Sequence, residues 1–283
     1  MAKIIDGKVI SDAVKERVRL GVEELNKQGV TVGLAVIIVG EDPASKVYVA
    51  NKKKACEALG IISEEYALSE NTTQEELLNL INELNNKKTI NGILCQLPLP
   101  RHLDEKLIIN YISPEKDVDA FHPVNVGKIM IGDFDFVPCT PAGVMEMLAY
   151  ENIDVAGKNC VVIGRSNIVG KPMNMLLLHK NGTVTVCHSK TQNLKEICAS
   201  ADILVAAVGR PNFVTEDMVK TGAVVIDVGI NRVDGKLCGD VDYVNVSKKV
   251  SAITPVPGGV GPMTIAMLMQ NTLTAAKKQN NII

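Results

Sequence analysis

Cys160-Val-Val-Ile-Gly-Arg-Ser-Asn-Ile-Val-Gly170 is the stretch that decides the fold of this 283-residue chain. It opens as a short apolar run rich in β-branched residues, closes on Gly164, and leads into an amphipathic segment. That order reads as a buried strand, a tight turn and a helix. Gly164-x-Ser166-x-x-x-Gly170 is a variant of the glycine-rich turn. In that turn small residues let the backbone approach a pyrophosphate, and the following helix offers free N–H groups to the anion. The spacing departs from G-x-G-x-x-G, and a glycine turn that merely packs a helix on a strand looks the same.

Outward from this loop the alternation continues in both directions, which is the pattern of α/β folds with parallel sheets. Toward the C-terminus, strands are expected at 159–164, 183–188, 203–207 and 223–228, with helices at 170–180, 193–200 and 215–221. A last apolar helix is expected over 264–276. Toward the N-terminus, strands are expected at 33–39, 61–68 and 90–96 and helices at 11–28, 45–59 and 71–84. Ser45 reads as the N-cap of its helix and Gly60 as its stop. Residues 101–137 read mostly as connections. Thr140-Pro141 opens a helix, and the domain junction is placed beside it.

Composition fits this architecture. Hydrophobic residues make up 46% and charged residues 22%, so a packed core is affordable and disorder is excluded. Aromatics are only 3% and tryptophan is absent, which leaves an aliphatic core suited to Val/Ile-rich parallel strands. A net charge of −2 gives no footprint for nucleic acid or an anionic membrane. The seven cysteines are scattered, without C-x-x-C or a Cys/His cluster at zinc spacing, so no metal is expected. Reduced thiols, no leader-like start and no long apolar run point to a cytoplasmic protein.

The strand after the glycine loop indicates which dinucleotide binds. Sites that prefer NAD carry a carboxylate at its end for the ribose 2′-OH. Here Val184-Thr-Val-Cys-His-Ser-Lys-Thr191 has none before Glu196. A carboxylate would repel a 2′-phosphate, whereas Ser189 and Arg165 can bond it, so the expected cofactor is NADP. Lys190 reads as an exposed loop lysine. Val208-Gly-Arg-Pro211 and Asp227-Val-Gly-Ile-Asn231 also end strands on the carboxyl edge, where ligands of open α/β sheets bind, and the glycines there suit a ligand lying close to main chain.

In the N-terminal half, Ser45, Tyr48 and Lys52 share one helix face, while Lys53 and Lys54 point elsewhere. A lysine beside a phenol becomes a usable base when burial or a nearby cation lowers its pKa. A run of lysines is also what a solvated helix face looks like. Gln96 sits where a third strand ends, and Pro114-Glu-Lys-Asp-Val-Asp119 offers paired acids in a loop; Asp117 capping a turn beside a surface Asp119 is the other reading. The residues alone do not say that these segments meet.

Together these strings resemble the family of bifunctional methylenetetrahydrofolate dehydrogenases/methenyltetrahydrofolate cyclohydrolases. The likeness runs from Tyr48-Val-x-x-Lys52, Gln96-Leu-Pro-Leu99, Pro114–Asp119 and Pro138-Cys-Thr-Pro141 through the 164–170 loop and His188-Ser-Lys-Thr191. It continues over Asp227–Asn231 to Thr254-Pro-Val-Pro-Gly-Gly-Val-Gly-Pro-Met-Thr264. The resemblance implies two α/β domains around a cleft. One spans 1–139 and is completed by the C-terminal helix, about 263–283; the other, 140–262, is a Rossmann-type NADP-binding domain. It implies Lys52 as general acid/base assisted by Gln96, with Tyr48 near the pterin and Asp119 on its amino-pyrimidine edge. Leu97, Pro257, Gly258 and Gly259 would line the folate site, and Gly164, Arg165, Ser166, Ser189 and Ile230 would contact NADP. A homodimer through the cofactor domain is also implied. The family commonly has Gly where this chain has Ala120, so a left-handed backbone there would be strained. A dehydrogenase that has lost hydrolysis, or a noncatalytic NADP sensor on the same fold, are the other readings; the joint presence of Tyr48, Lys52, Gln96 and Asp119 speaks against the sensor.

Overall fold

The computed structural model describes residues 2–282. The chain divides into two compact units: Ala13–Val137 with Ile265–Ile283, and Met1–Asp12 with Pro138–Thr264. No helix among the described residues is long and apolar enough to cross a membrane.

The first unit is built on a three-stranded parallel sheet. Gly33–Val39 is buried at every position and lies between Ile62–Leu68 and Gly92–Cys95. An unbroken apolar run is what a central parallel strand needs, because helices cover both of its faces. On one face the helices Gln74–Asn86 and Glu105–Tyr111 bring Leu77, Ile81, Leu84 and Ile108 against Ala35, Ile37 and Ile93. The long helix Gly7–Lys27 buries Val14, Val18, Val22 and Leu25, the face its spacing predicts. Gly21 is required where that helix meets the last one, Val260–Gln279, since a Cβ there would lie 2.6 Å from Leu273.

Residues 101–137 differ from the expectation of connections, for they hold the helices Glu105–Tyr111 and Pro123–Ile131. Both are short, so their periodicity is weak. Each is started by a side-chain cap, Asp104 and His122, rather than announced by a long apolar face. The helix expected from residue 71 begins later, at Gln74, because Thr73 and Glu76 form a reciprocal capping box.

The second unit holds a six-stranded, all-parallel sheet. Its order across the sheet is Thr183–Cys187, Asn159–Ile163, Ile203–Ala206, Val224–Asp227, Ala252–Ile253 and Lys3–Ile4. The strands after residue 158 therefore follow the doubly wound order 2-1-3-4-5, and the chain's first strand fills the sixth place. This changes the expected boundary at the N-terminus: Met1–Asp12 belongs with the 138–264 unit rather than with the rest of 1–139. The cause is backbone pairing, with Lys3 N–H on Ser251 O at 2.8 Å and Ile5 N–H on Ile253 O at 2.9 Å, and the complete burial of Ile5. The helix expected at 215–221 is only a 3-10 turn, Glu216–Met218, since Val219 is already extended.

Candidate active site

In the first unit, the strand Gly33–Val39 ends in Gly40 and feeds the helix Pro43–Leu59. The cap is Asp42, not Ser45: its carboxylate accepts the Ser45 N–H at 2.7 Å, and Pro43 fits the first helical position, where no N–H is needed. Gly60 closes the helix in the left-handed conformation. Within this helix Lys52 is only 9% exposed, whereas Lys53 and Lys54 face solvent and Tyr48 is 43% exposed. One lysine of the triplet has thus been taken out of water.

The amide of Gln96 receives it. Lys52 Nζ donates to Gln96 Oε1 at 2.8 Å. The amide is turned that way because Gln96 Nε2 donates to Leu97 O at 2.7 Å, and the Gln96 main chain extends the sheet by bonding Ile37 O at 2.8 Å. The Leu97–Pro98 peptide is cis and carries the chain away from the sheet. An amide oxygen accepts from charged and neutral amine alike, so unlike a carboxylate it does not lock the lysine in its cationic form.

Asp119 follows a segment anchored to the edge of the same sheet. Ile93 N–H bonds Lys116 O at 2.7 Å, and Ile93 and Asp117 form an isolated parallel bridge beside the strand Gly92–Cys95, after which the chain turns, with Ala120 N–H on Asp117 O at 3.0 Å. Asp119, on that turn, lies close enough to the strand end to act on Cys95. Its negative charge is felt there: burial pushes the Cys95 thiol up to about 12, with Asp119 and then Glu105 adding to the effect. The other members of the motif hold the loop. Lys116 Nζ donates to the Leu84 and Lys87 carbonyls at 2.9 and 2.8 Å, closing the end of a helix. Asp117 is buried and accepts His122 N–H and Asn125 Nδ2, both at 2.8 Å; burial raises its pKa against these bonds. Asn271, which the sequence reading missed, fixes Val118 O at 2.8 Å and Val137 O at 3.0 Å. Ala120 does adopt the left-handed backbone, at φ 57°, with no exposed surface.

The second unit makes its carboxyl edge differently. Gly164 (φ 138°) has no room for a side chain, because a Cβ would lie 2.5 Å from Ala207 O, on the loop after the neighbouring strand. At Gly170 a Cβ would lie 2.3 Å from Gly164 O. Both glycines therefore serve the packing of the edge itself. The helix Gly170–His179 does not offer its first N–H groups freely, contrary to the reading of the motif. Ser166 Oγ accepts those of Val169 and Gly170 at 3.2 and 3.3 Å, Ser166 O takes that of Lys171 at 3.0 Å, and Pro172 has none. The main-chain N–H groups of 165–168, on an exposed loop, are what remain for an anion, and Arg165 is exposed beside them. Ser189 stands exposed on a turn that His188 N–H and Thr191 Oγ1 close at 2.8 Å, and no carboxylate lies on 188–191. These groups fit a dinucleotide carrying a 2′-phosphate. Ile230 is half exposed on the same edge. Pro257, Gly258 and Gly259 belong to this unit, where Gly7 is obligatory because a Cβ would lie 1.8 Å from Gly259 O.

Two family models match the chain, one over each half. The family model for the tetrahydrofolate dehydrogenase/cyclohydrolase catalytic domain matches residues 5–119, and that for the family's NAD(P)-binding domain matches residues 138–280. The bifunctional protein FolD of Acetivibrio thermocellus is 64% identical, with 98% of each chain covered. Among solved structures, the bifunctional FolD methylenetetrahydrofolate dehydrogenase/cyclohydrolase of Campylobacter jejuni is 51% identical with a TM-score of 0.97, covering 99% of this chain and all of that one. The Trypanosoma brucei dehydrogenase-cyclohydrolase, solved with NADP cofactor and inhibitor, is 40% identical with a TM-score of 0.94, covering 99% of this chain and 98% of that one. The chain therefore belongs to the tetrahydrofolate dehydrogenase/cyclohydrolase family.

Proposed function

We propose that this protein oxidises 5,10-methylenetetrahydrofolate to the 5,10-methenyl cation with NADP, then hydrolyses that cation to 10-formyltetrahydrofolate, with Lys52 handling the proton of the second step. The observation that carries this reading is the 2.8 Å bond from a largely buried Lys52 to Gln96, made beside Cys95, the strand residue on which the charge of Asp119 acts.

The first step asks the protein for placement, because N5 and N10 share the positive charge that develops on the carbon. NADP, when bound, supplies the hydride acceptor. Arg165 and Ser189 would hold its 2′-phosphate, the main chain of Gly164–Ser166 would take the pyrophosphate, and Ile230 would be its apolar contact. Asp119 accepts hydrogen bonds from the pterin's amino-pyrimidine edge. For the folate we propose Tyr48, one turn before Lys52, and Leu97 in the first unit, and Pro257, Gly258 and Gly259 in the second.

In the second step water adds to the methenyl carbon and must lose a proton. A cationic substrate beside Lys52 favours its neutral amine, which takes that proton, while Gln96 keeps Nζ in place. The C–N5 bond of the resulting carbinol breaks as its hydroxyl proton passes to N5. One water is consumed and one proton released overall.

The free thiols of all seven cysteines suit work in the cytoplasm. A homodimer through the cofactor unit is supported by its outer strand Thr183–Cys187, which among the described residues pairs with a strand on one side and carries a 41% exposed Val186. The test is Lys52→Met with preformed methenyltetrahydrofolate. Hydrolysis should fall by about a hundredfold or more, the scale of a lost general base. Wild-type hydrolysis by that variant removes Lys52 from the mechanism.

A further inference from the structure

The second unit contains a polar device that neither the glycine loop nor the family's motifs account for. Asp240 is fully buried, yet its carboxylate serves four donors. Oδ2 accepts the N–H groups of Val208 at 2.5 Å and Gly209 at 2.9 Å; Oδ1 accepts the N–H of Arg210 and the Nδ2 of Asn231, each at 2.9 Å. One side chain thus gathers three successive amides of one edge loop and the last residue of another. Gly209 and Arg210 are exposed, so water would otherwise solvate those amides and leave the loop free.

Asp240 is itself held from below. Its N–H and that of Val241 donate to Asp227 at 2.9 Å, and Asp227 N–H donates to Thr254 Oγ1 at 2.7 Å. Glycines make room for the pair: a Cβ at Gly229 would lie 2.1 Å from Asp240 Oδ1, and one at Gly239 would lie 1.8 Å from Asp227 Oδ2. Gly229 is therefore small for the sake of a carboxylate. Setting two buried carboxylates side by side is costly, and burial with the neighbouring Asp240 raises Asp227 to about 6 against its backbone bonds. A core position that only had to be filled would not need such a pair.

We infer that Asp240 is a positioning residue for the cofactor: its carboxylate fixes the loops 208–210 and 229–231 in the shape that receives NADP. This rests on the proposed placing of the cofactor on that edge, beside Ile230. Asp240→Asn is the natural probe, because it keeps the size but turns one of the two oxygens into a donor facing two donors.

The full-length wild type and Asp240→Asn are compared by amide hydrogen exchange and by dehydrogenase kinetics. In the wild type, exchange at Gly209 and Arg210 should be slow for exposed residues, and NADP should slow it further at 208–210 and 229–231. In the variant these amides should exchange faster, and KM for NADP should rise about tenfold or more, the scale of a lost charged hydrogen bond, while kcat at saturating NADP falls less than threefold. Fast exchange at Gly209 and Arg210 in the wild type overturns the inference without any variant, so a variant that does not fold leaves it testable. No effect of NADP on exchange at these loops shows instead that the cofactor lies elsewhere, which removes the reading on which the inference stands. If NADP does protect the loops but the folded variant keeps its KM, the fault lies with Asp240 alone.

Discussion

On the proposed function the two units would meet the same demand, a ligand at the carboxyl edge of a parallel sheet, with opposite materials. In the first, the proposed chemistry would sit on side chains: Lys52 from a helix, Gln96 from a strand end and Asp119 from a turn beside that strand. In the second, the proposed ligand-facing parts are mostly main chain, namely the amides of 165–168 and the loops 208–210 and 229–231. There, side chains such as Ser166 and Asp240 shape the backbone. A side-chain site fails when one functional group is removed. A main-chain site fails when a Cβ is added or a hidden acceptor is lost.

That contrast can be broken by substitution. Gly164→Ala forces a Cβ to within 2.5 Å of Ala207 O at a φ that L-residues avoid. It should cost about 3 kcal/mol of stability, read from denaturant midpoints, with the NADP-dependent step weakened as well. An unchanged midpoint would show that the edge is looser than described. Arg165→Ala and Ser189→Ala remove only side-chain contacts. Each should raise KM for NADP, by about tenfold or more for the arginine, with little change in the weak reaction with NAD. Equal losses with both dinucleotides would mean that neither residue reads the 2′-phosphate.

The smallest effect is expected at Ala120. Its φ of 57° is unfavourable for alanine by about 1–2 kcal/mol, while glycine adds unfolded-state entropy of roughly 0.4–1 kcal/mol, so Ala120→Gly should gain about 0.5 kcal/mol. A clear loss in thermal midpoint would show that the buried methyl group packs more usefully than its backbone is strained.

The same contrast explains what could be read from the sequence. The strands Gly33–Val39, Gly92–Cys95, Asn159–Ile163, Ile203–Ala206 and Val224–Asp227 are largely apolar runs, so their places were legible, as was the single buried face of Val14, Val18, Val22 and Leu25. Lys52 was legible as a candidate because its spacing sets it apart from Lys53 and Lys54. Its meeting with Gln96 was not, since 44 residues separate them and nothing local encodes that contact. Main-chain features were harder still. The pattern G-x-S-x-x-x-G suggested a helix N-terminus open to an anion, but Ser166 folding back on 169 and 170 is a matter of dihedral angles. Asp240 carried no signal, being one acid in Gly239-Asp-Val-Asp242, and its burial follows only from sheet order. The strand Lys3–Ile4 is too short for periodicity, and its pairing with Ala252–Ile253 set the unit boundary where composition showed none.

The most direct measurement is a single assay on the unmodified protein. 5,10-Methylenetetrahydrofolate is added with NADP or with NAD, and the reduced nicotinamide and the folate products are followed together. The account predicts NADPH accumulating well ahead of NADH, with 10-formyltetrahydrofolate as the final product. No NADPH, or NADH formed as fast, would contradict the cofactor assignment; methenyltetrahydrofolate persisting as the end product would contradict the role given to Lys52.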